Sequence, residues 1–309
     1  MSLSKLYINR LNKSHKEYVA CSKNKESLLK ILNEVEIVES VYNSNAIENS
    51  TLTIDDTENI LLYNQIAKHM ELREVYEAKN LAIVMEYIQK NIDKKDLTLD
   101  LSNFLHSTLL SGIRDDIKGR TRMFMEYVKV GPHVAPAPEK VIPMINEAFD
   151  KIKNTSISNE SFIERLARFH LEFETVHPYI DGNGRIGRVL VNFVMMKNNF
   201  PPIIVRNKEK QNYYRAFRAY NKKKTDEKEE EENDINKMSD IFYLLSMESL
   251  HKRLAYLKSM NIITLAKYAE KEKRNARSLL NSAKKQTIPA FRERGIWKIG
   301  VEQNTSLDK

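Results

Sequence analysis

Apolar residues recur at helical spacing through much of the first third of the chain. Leu28, Ile31, Leu32, Val35, Val38 and Tyr42 fall three or four apart, and Leu62, Ile66, Met70, Leu72 and Val75 roughly continue the pattern. Several helices are therefore expected from about Lys25 to Leu110. Thr53-Ile-Asp-Asp56 sets a hydroxyl three residues ahead of an acid, the pattern of an N-cap, and starts a new helix. Between Gly119 and Pro138 the pattern changes. Met123-Phe-Met-Glu-Tyr-Val-Lys-Val130 mixes apolar, aromatic and β-branched residues, and Gly131-Pro-His-Val-Ala-Pro-Ala-Pro138 cannot continue a helix. A short β-hairpin or flap is expected there. Helices resume at about Glu139, and the apolar run Ile186–Met196 reads as a buried helix. The charge-dense stretch Lys222–Asp234 reads as a solvated insertion, and a helix from Met238 to about Lys258 closes the body. No internal repeat is visible.

Composition agrees with helices: 309 residues contain only 8 Gly and 8 Pro, and 41% are hydrophobic, enough for a buried core. No apolar stretch is long enough for a membrane span, and no signal peptide is expected. Cys21 is the only cysteine, which excludes an intrachain disulfide and fits a reduced cytoplasm. The net charge of +8 is uneven. From His251 onward there are 14 Lys/Arg against 5 Asp/Glu, and before it 36 against 37. A basic C-terminal module suggests a polyanion partner, and a lysine-rich solubilising surface is the alternative reading.

The chemistry concentrates in His177-Pro-Tyr-Ile-Asp-Gly-Asn-Gly-Arg-Ile-Gly-Arg188. An apolar helix carrying Phe162, Leu166, Phe169 and Phe173 stops at Pro178, Gly182 and Gly184 permit a tight turn, and another helix begins at about Arg185. Exposed amides at a helix N-terminus cradle anions. Arg185 and Arg188 share a helix face, Asp181 offers a hard oxygen suited to Mg²⁺, and His177 has the ordinary pKa for proton abstraction near neutrality. A base, a metal-binding carboxylate, an anion cradle and two arginines together describe phosphate transfer chemistry.

This segment resembles the motif of the Fic family, His-Pro-Phe-x-[Asp/Glu]-Gly-Asn-Gly-Arg-x-x-Arg, with Tyr179 at the usual Phe. The resemblance extends through Leu109-Leu-Ser-Gly112, Ala135-Pro-Ala-Pro-Glu-Lys-Val141, Phe173-Glu-Thr-Val-His177 and Tyr213-Tyr-Arg-Ala216. It implies a protein adenylyltransferase. In that reading His177 deprotonates a Tyr, Thr or Ser hydroxyl, and Asp181 holds Mg²⁺ or Mn²⁺. Asn183 with the amides around Gly182 and Gly184 binds the α-phosphate of ATP. Arg185 and Arg188 hold the outer phosphates, Tyr213 and Asn221 line the adenine pocket, and Val128 on the flap covers the base. The flap aligns the target by strand pairing. Phosphorylating members carry Ala and Lys within the loop, whereas this sequence keeps Gly182 and Arg185, which favours nucleotidyl transfer.

Upstream, Ser44-Asn-Ala-Ile-Glu48-Asn49 is similar to the family's inhibitory pattern [Ser/Thr]-x-x-x-Glu-[Gly/Asn], following a helix expected to end near Tyr42. The resemblance implies that Glu48 pairs with Arg188 and keeps the γ-phosphate out. It leaves open whether Glu48 also positions a water that removes AMP from modified targets.

Near the C-terminus, Thr264-Leu-Ala-Lys-Tyr-Ala-Glu270 reads as a short helix capped by Thr264, with Leu265, Ala266 and Ala269 inward. A second helix is expected over Arg274–Lys285, then a hairpin over Ile288–Ile299 that carries Trp297 as a core plug. This layout resembles a winged helix-turn-helix. Arg274, Arg277, Lys284 and Lys285, with Arg292 and Arg294 on the wing, are candidate contacts for DNA phosphates.

The expected fold is mainly α: a Fic-type helical bundle with a small β-hairpin flap, followed by a winged helix-turn-helix. Its expected segments are an N-terminal helical region 1–95, a catalytic core 96–250 and a terminal module 251–309. The expected function is AMP transfer from ATP to another protein or to the chain itself, in the cytoplasm, with a homodimer as one open arrangement. The competing class is a DNA-binding regulator whose body senses nucleotide without turnover.

Overall fold

The computed structural model describes residues 3–131, 133–153, 161–221 and 234–302. Pro132 in the flap and positions 222–233 of the charged run lie outside them. Twelve α-helices and two small antiparallel sheets make up the described residues. In order these are α1 (Lys5–Ser22), α2 (Glu26–Ile47), α3 (Ile54–Leu62), α4 (Leu72–Asn91), α5 (Leu99–Leu109), β1 (Lys129–Val130), β2 (His133–Val134), α6 (Pro138–Lys153) and α7 (Phe162–Val176). They continue with α8 (Asn183–Lys197), α9 (Lys210–Tyr220), α10 (Asn236–Leu257), β3 (Asn261–Thr264), α11 (Leu265–Lys271), α12 (Ala276–Lys284), β4 (Ala290–Glu293) and β5 (Ile296–Val301).

The chain forms two compact units, each discontinuous in sequence. One gathers Met1–Leu3, Glu36–Asn198 and Ile204–Ile241, and the other Ser4–Val35, Asn199–Ile203 and Phe242–Lys309. The sequence suggested three consecutive segments instead. Local periodicity gives no sign that α2 and α10 each divide between the units.

In the first unit α8 is the central helix. It packs on α4, α5 and α7, and Ile186, Val189, Leu190, Val191, Phe193, Val194 and Met195 are all buried. A helix whose later turns are this apolar is stable only in such a place. Helix α7 packs in turn on α6, and Val141, Ile145, Phe149, Leu166, Phe169 and Phe173 of this pair are buried. Thr53 and Asp56 form the expected capping box at α3, and Ser161 and Glu164 form a second one at α7.

Two expected stripes differ. Helix α2 runs through Ile47, past the expected end at Tyr42, and Ile31 and Val35 are exposed. Its buried face further along includes Glu36, Glu39, Asn43, Ser44 and Asn45. The reason is pairing: Glu39 Oε1 accepts from Arg206 Nε at 3.0 Å, and Asn43 accepts from the Asn207 backbone at 3.0 Å. The second stripe crosses a loop. Helix α3 stops at Leu62, α4 starts at Leu72, and Leu62, Ile66 and Leu72 are exposed.

In the second unit Tyr7 stacks on Tyr243 at 4.7 Å and His15 on Phe200 at 3.7 Å. Its terminal part has strand order β3-β5-β4, with Ile263 opposite Ile299 and Arg292 opposite Trp297. Strand β3 was not anticipated. Leu265, Ala269, Leu279, Ala283, Ala290 and Ile299 form the core of this part, and Trp297 packs against it. Ala266, expected inward, is exposed.

Candidate active site

Helix α7 ends at His177, whose left-handed backbone (φ 50°) turns the chain sharply toward α8. Gly182, at φ 79°, turns it again and starts α8 without a side-chain cap. The amides of the first turn are thereby left for a ligand. The amide of Gly182 itself is taken, because it donates to Asp181 Oδ1 at 2.6 Å. Between the two turns the loop is clamped by Asn183. Its Oδ1 accepts from the Tyr179 amide and its Nδ2 donates to the Tyr179 carbonyl, both at 2.8 Å. Expected as a phosphate ligand, the Asn183 side chain is buried and serves the loop backbone.

Tyr179 is fully buried, and its hydroxyl donates to Asn103 Oδ1 at 3.0 Å and lies 2.7 Å from Ser102 Oγ. Those partners account for a tyrosine where an apolar ring was expected. His106 stacks on the Tyr179 ring at 3.8 Å. The Gly119 amide donates to His106 Nδ1, so the ring proton sits on Nε2 and donates to the Asp181 carbonyl at 3.0 Å. Burial pushes the His106 pKa down to about 4, which keeps this neutral tautomer.

His177 has a matching arrangement. Its Nδ1 lies 3.3 Å from the Glu174 carbonyl, an acceptor only, so the proton belongs on Nδ1 and Nε2 keeps its lone pair. Burial lowers its pKa to about 4, against the opposing effect of the Glu174 carbonyl. Arg122 fixes the turn from behind. It donates to the carbonyls of Val176 (3.0 Å), His177 (2.8 Å), Pro136 (2.8 Å) and Glu126 (3.0 Å), tying the end of α7 to the flap.

Three charged groups gather with Asp181. Arg185 reaches Asp181 Oδ1 at 3.3 Å and Glu77 Oε1 at 3.2 Å, while Arg73 reaches Glu77 Oε1 at 3.2 Å and Asp181 Oδ2 at 3.4 Å. One turn along α8, Arg188 is occupied by the end of α2. Its Nε donates to Ser44 Oγ at 2.9 Å, and one Nη donates to the Ser44 carbonyl at 2.9 Å and Glu48 Oε1 at 2.8 Å. A Cβ on Gly184 would overlap Glu48 Oε1, so glycine is required for the carboxylate to come this close. Asn49 terminates α2 with φ 72°, and Lys210 lies 3.4 Å from its side chain.

Behind Arg188 is a buried polar cluster that the motif does not announce. Glu174 packs against Gly187, where a Cβ would overlap its Oε1, and that oxygen has no hydrogen-bond partner. Burial pushes the Glu174 pKa up to about 8, with Arg188 opposing and Glu48 reinforcing. His170 bonds the Tyr213 hydroxyl, and Tyr213 meets Phe217 edge-on at 4.9 Å. Tyr213 is therefore buried with its phenol engaged, whereas Tyr214 donates to the Ile47 carbonyl at 2.9 Å beside Glu48. Asn221 caps α9 and accepts from Thr175 Oγ1 at 3.0 Å. The flap pairs Lys129 with Val134 and Val130 with His133, and Val128 is half-buried at its base.

Arg73, Glu77, His106, Arg122 and Glu174 were not singled out from sequence. Their partners lie up to 108 residues away, and only Glu174, inside the quoted Phe173–His177 stretch, was near a visible motif. In the terminal part, Arg274, Arg277, Lys284 and Lys285 are exposed, as is Arg294. Arg292 is not available as a wing contact. It lies over Trp297 at 4.7 Å and forks onto Glu248, with Nη2 to Oε2 at 2.6 Å.

Residues 96–195 match the model of the Fic/DOC family. The chain is 30% identical over 176 residues to a protein adenylyltransferase Fic of Nematostella vectensis, over 56% of this chain and 41% of that one. It thus spans about two fifths of the length of that curated relative. A Fic domain containing signaling protein from Bacteroides thetaiotaomicron superposes with a TM-score of 0.70 at 24% identity, over 82% of this chain and 97% of that one. A Fic family protein from Desulfovibrio desulfuricans gives 0.66 at 18% identity over 98% of each chain. The fold is shared over nearly the whole length. No helix among the described residues is long and apolar enough to cross a membrane.

Proposed function

We propose that the Fic/DOC-family domain this chain contains, residues 96–195, moves AMP from ATP onto a Tyr, Thr or Ser hydroxyl of a protein, and that Glu48 restrains it. The observation that carries the reading is the competition at Arg188. The guanidinium needed for an outer phosphate is held through Nε and one Nη by Ser44 and Glu48, at the end of α2. An enzyme that binds a triphosphate in this loop must move that carboxylate first.

In the transfer, His177 Nε2 takes the hydroxyl proton as the target oxygen bonds to the α-phosphorus. The bond from that phosphorus to the bridging oxygen breaks, and pyrophosphate leaves. The free amides at the start of α8 receive the α-phosphate, Arg185 and Arg188 the outer ones. Asn183 keeps the loop in shape for this, through its two bonds to Tyr179.

Asp181 is the metal-binding candidate. No group of three or more His, Cys, Asp or Glu that could hold an ion gathers among the described residues. One carboxylate beside a triphosphate cradle fits Mg²⁺ or Mn²⁺, which take most of their ligands from phosphate and water. Bound there, such an ion offsets the charge building on the leaving pyrophosphate.

A lone pair kept on a half-buried, oriented His177 favours turnover over nucleotide sensing alone. Separate incubations with ATP labelled at the α- and γ-phosphate test the reaction in a Glu48→Gly chain. Label from the α-position only, absent in Glu48→Gly/His177→Ala, is expected. Transfer of the γ-label would make the protein a kinase instead.

The terminal part carries a second proposal. Its strand, two helices and hairpin make a winged helix-turn-helix that meets DNA phosphates through Arg274, Arg277, Lys284 and Lys285. The exposure of all four favours it.

A further inference from the structure

Arg185 is gripped by two carboxylates, and each of those carboxylates also holds Arg73. The four contacts close a ring: Arg73 to Glu77 at 3.2 Å, Glu77 to Arg185 at 3.2 Å, Arg185 to Asp181 at 3.3 Å, and Asp181 back to Arg73 at 3.4 Å. Two cations alternate with two anions, so the ring is neutral. Only Arg185 and Asp181 belong to the loop that starts α8. Arg73 and Glu77 come from α4, four residues apart and therefore on one helix face.

The members differ in freedom. The Arg185 side chain is 4% exposed and Glu77 12%, whereas Arg73 is 58% exposed. Arg185 Nε has no hydrogen-bond partner, so its orientation depends on the two carboxylates. Any cation that takes Asp181 for itself removes one of them. Glu77 is then the contact that keeps a buried guanidinium aimed at the phosphates. Arg73, exposed on a long side chain, is the member able to swing away.

Resting on the adenylyl-transfer reading, we propose that Glu77 is a positioning residue for Arg185. Arg73 is the resident cation of Asp181, displaced when a metal-bound triphosphate enters. The two residues therefore act on metal binding with opposite signs. Without Glu77, Arg185 turns wholly to Asp181 and competes harder with the metal ion. Without Arg73, Asp181 is easier to reach.

The test uses the full chain in a Glu48→Gly background. Calorimetry measures binding of a non-hydrolysable α,β-methylene analogue of ATP across a Mn²⁺ titration, and AMP incorporation from labelled ATP is measured in parallel. Loss of one charge-assisted contact predicts that Glu77→Gln weakens analogue binding about tenfold. Its KM for ATP should rise alike while kcat stays within about threefold, and Glu77→Asp should recover part of the loss. Arg73→Ala should lower the Mn²⁺ concentration needed for half-saturation about threefold, the scale of a largely exposed pair.

A fall in kcat at unchanged KM for Glu77→Gln would overturn the positioning role. A higher Mn²⁺ requirement in Arg73→Ala would overturn the displacement, because Arg73 would then be a phosphate ligand. If the parent binds the analogue but incorporates no AMP, the reaction assignment fails while the ring is still decided by the binding constants. A parent that binds no nucleotide overturns both.

Discussion

Arg188 donates to Glu48 Oε1 at 2.8 Å across 140 residues of chain, and Gly184 lies against that carboxylate with no room for a side chain. The contact joins the end of α2 to α8, the helix that follows the His177–Gly182 loop. It makes the resting site self-complementary, with the anion supplied by the protein itself.

Glu174, behind that pair, should make stability depend on pH in an unusual direction. Its folded pKa is pushed up to about 8, so from about pH 4.5 to 8 the unfolded chain gives up a proton that the folded chain keeps. Stability falls as pH rises through that window and is flat above it. Glu174→Gln has no such loss. Its Tm relative to wild type should be higher at pH 8 than at pH 5, by about 2 °C or more. Equal differences at the two pH values would show that Glu174 is ionised in the fold.

His177 has the opposite sense. Its folded pKa is lowered to about 4, so the neutral base persists well below the ordinary value near 6.5. The kcat/KM of a Glu48→Gly chain should be level from pH 8 down to about pH 5. The same shift removes stability as pH falls from about 6.5 toward 4, where the unfolded chain takes up a proton first. An acid limb centred near pH 6.5 would mean that the imidazole is open to solvent.

Arg122 bonds four backbone carbonyls with one planar fork and is almost fully buried. Arg122→Lys keeps the charge but loses the fork, and it should cost about 2 kcal/mol in urea unfolding. An unchanged midpoint would show that the end of α7 is held without it.

Exposed Arg274, Arg277, Lys284 and Lys285 lead to a prediction for the terminal part. Duplex DNA should be retarded by the wild-type chain at low salt and released as salt increases. Replacing Lys284 and Lys285 by Ala should flatten the salt dependence by about two counterions. No shift at any salt concentration would leave this part a protein-contact or purely structural element.

The features readable in advance were those that complete themselves locally. The capping box at Thr53, the end of α7 at His177, the flap and the buried helix after Gly182 each depend on a short stretch with its own turn chemistry. What stayed hidden depends on distant partners. The buried face of α2 mixes Ile37 and Val41 with Glu39 and Ser44 because Arg206 and Arg188 come to meet it, and the stripe read from spacing took in Ile31 and Val35, which lie in solvent. Arg73, Glu77, His106 and Arg122 look like ordinary surface or core residues until the fold sets them beside Asp181 and His177. Strand β3 is short and leans on β5, which follows it by about 30 residues, so neither could announce the pairing.

Whether Glu48 holds the Arg188 site closed against ATP is read in the initial rate of AMP incorporation from α-labelled ATP with Mg²⁺, comparing wild type, Glu48→Gly and Glu48→Gly/Arg188→Ala. Loss of a charge-assisted pair predicts a rise of about tenfold or more in Glu48→Gly, reversed in the double variant. A Glu48→Gly rate equal to or below wild type would contradict it.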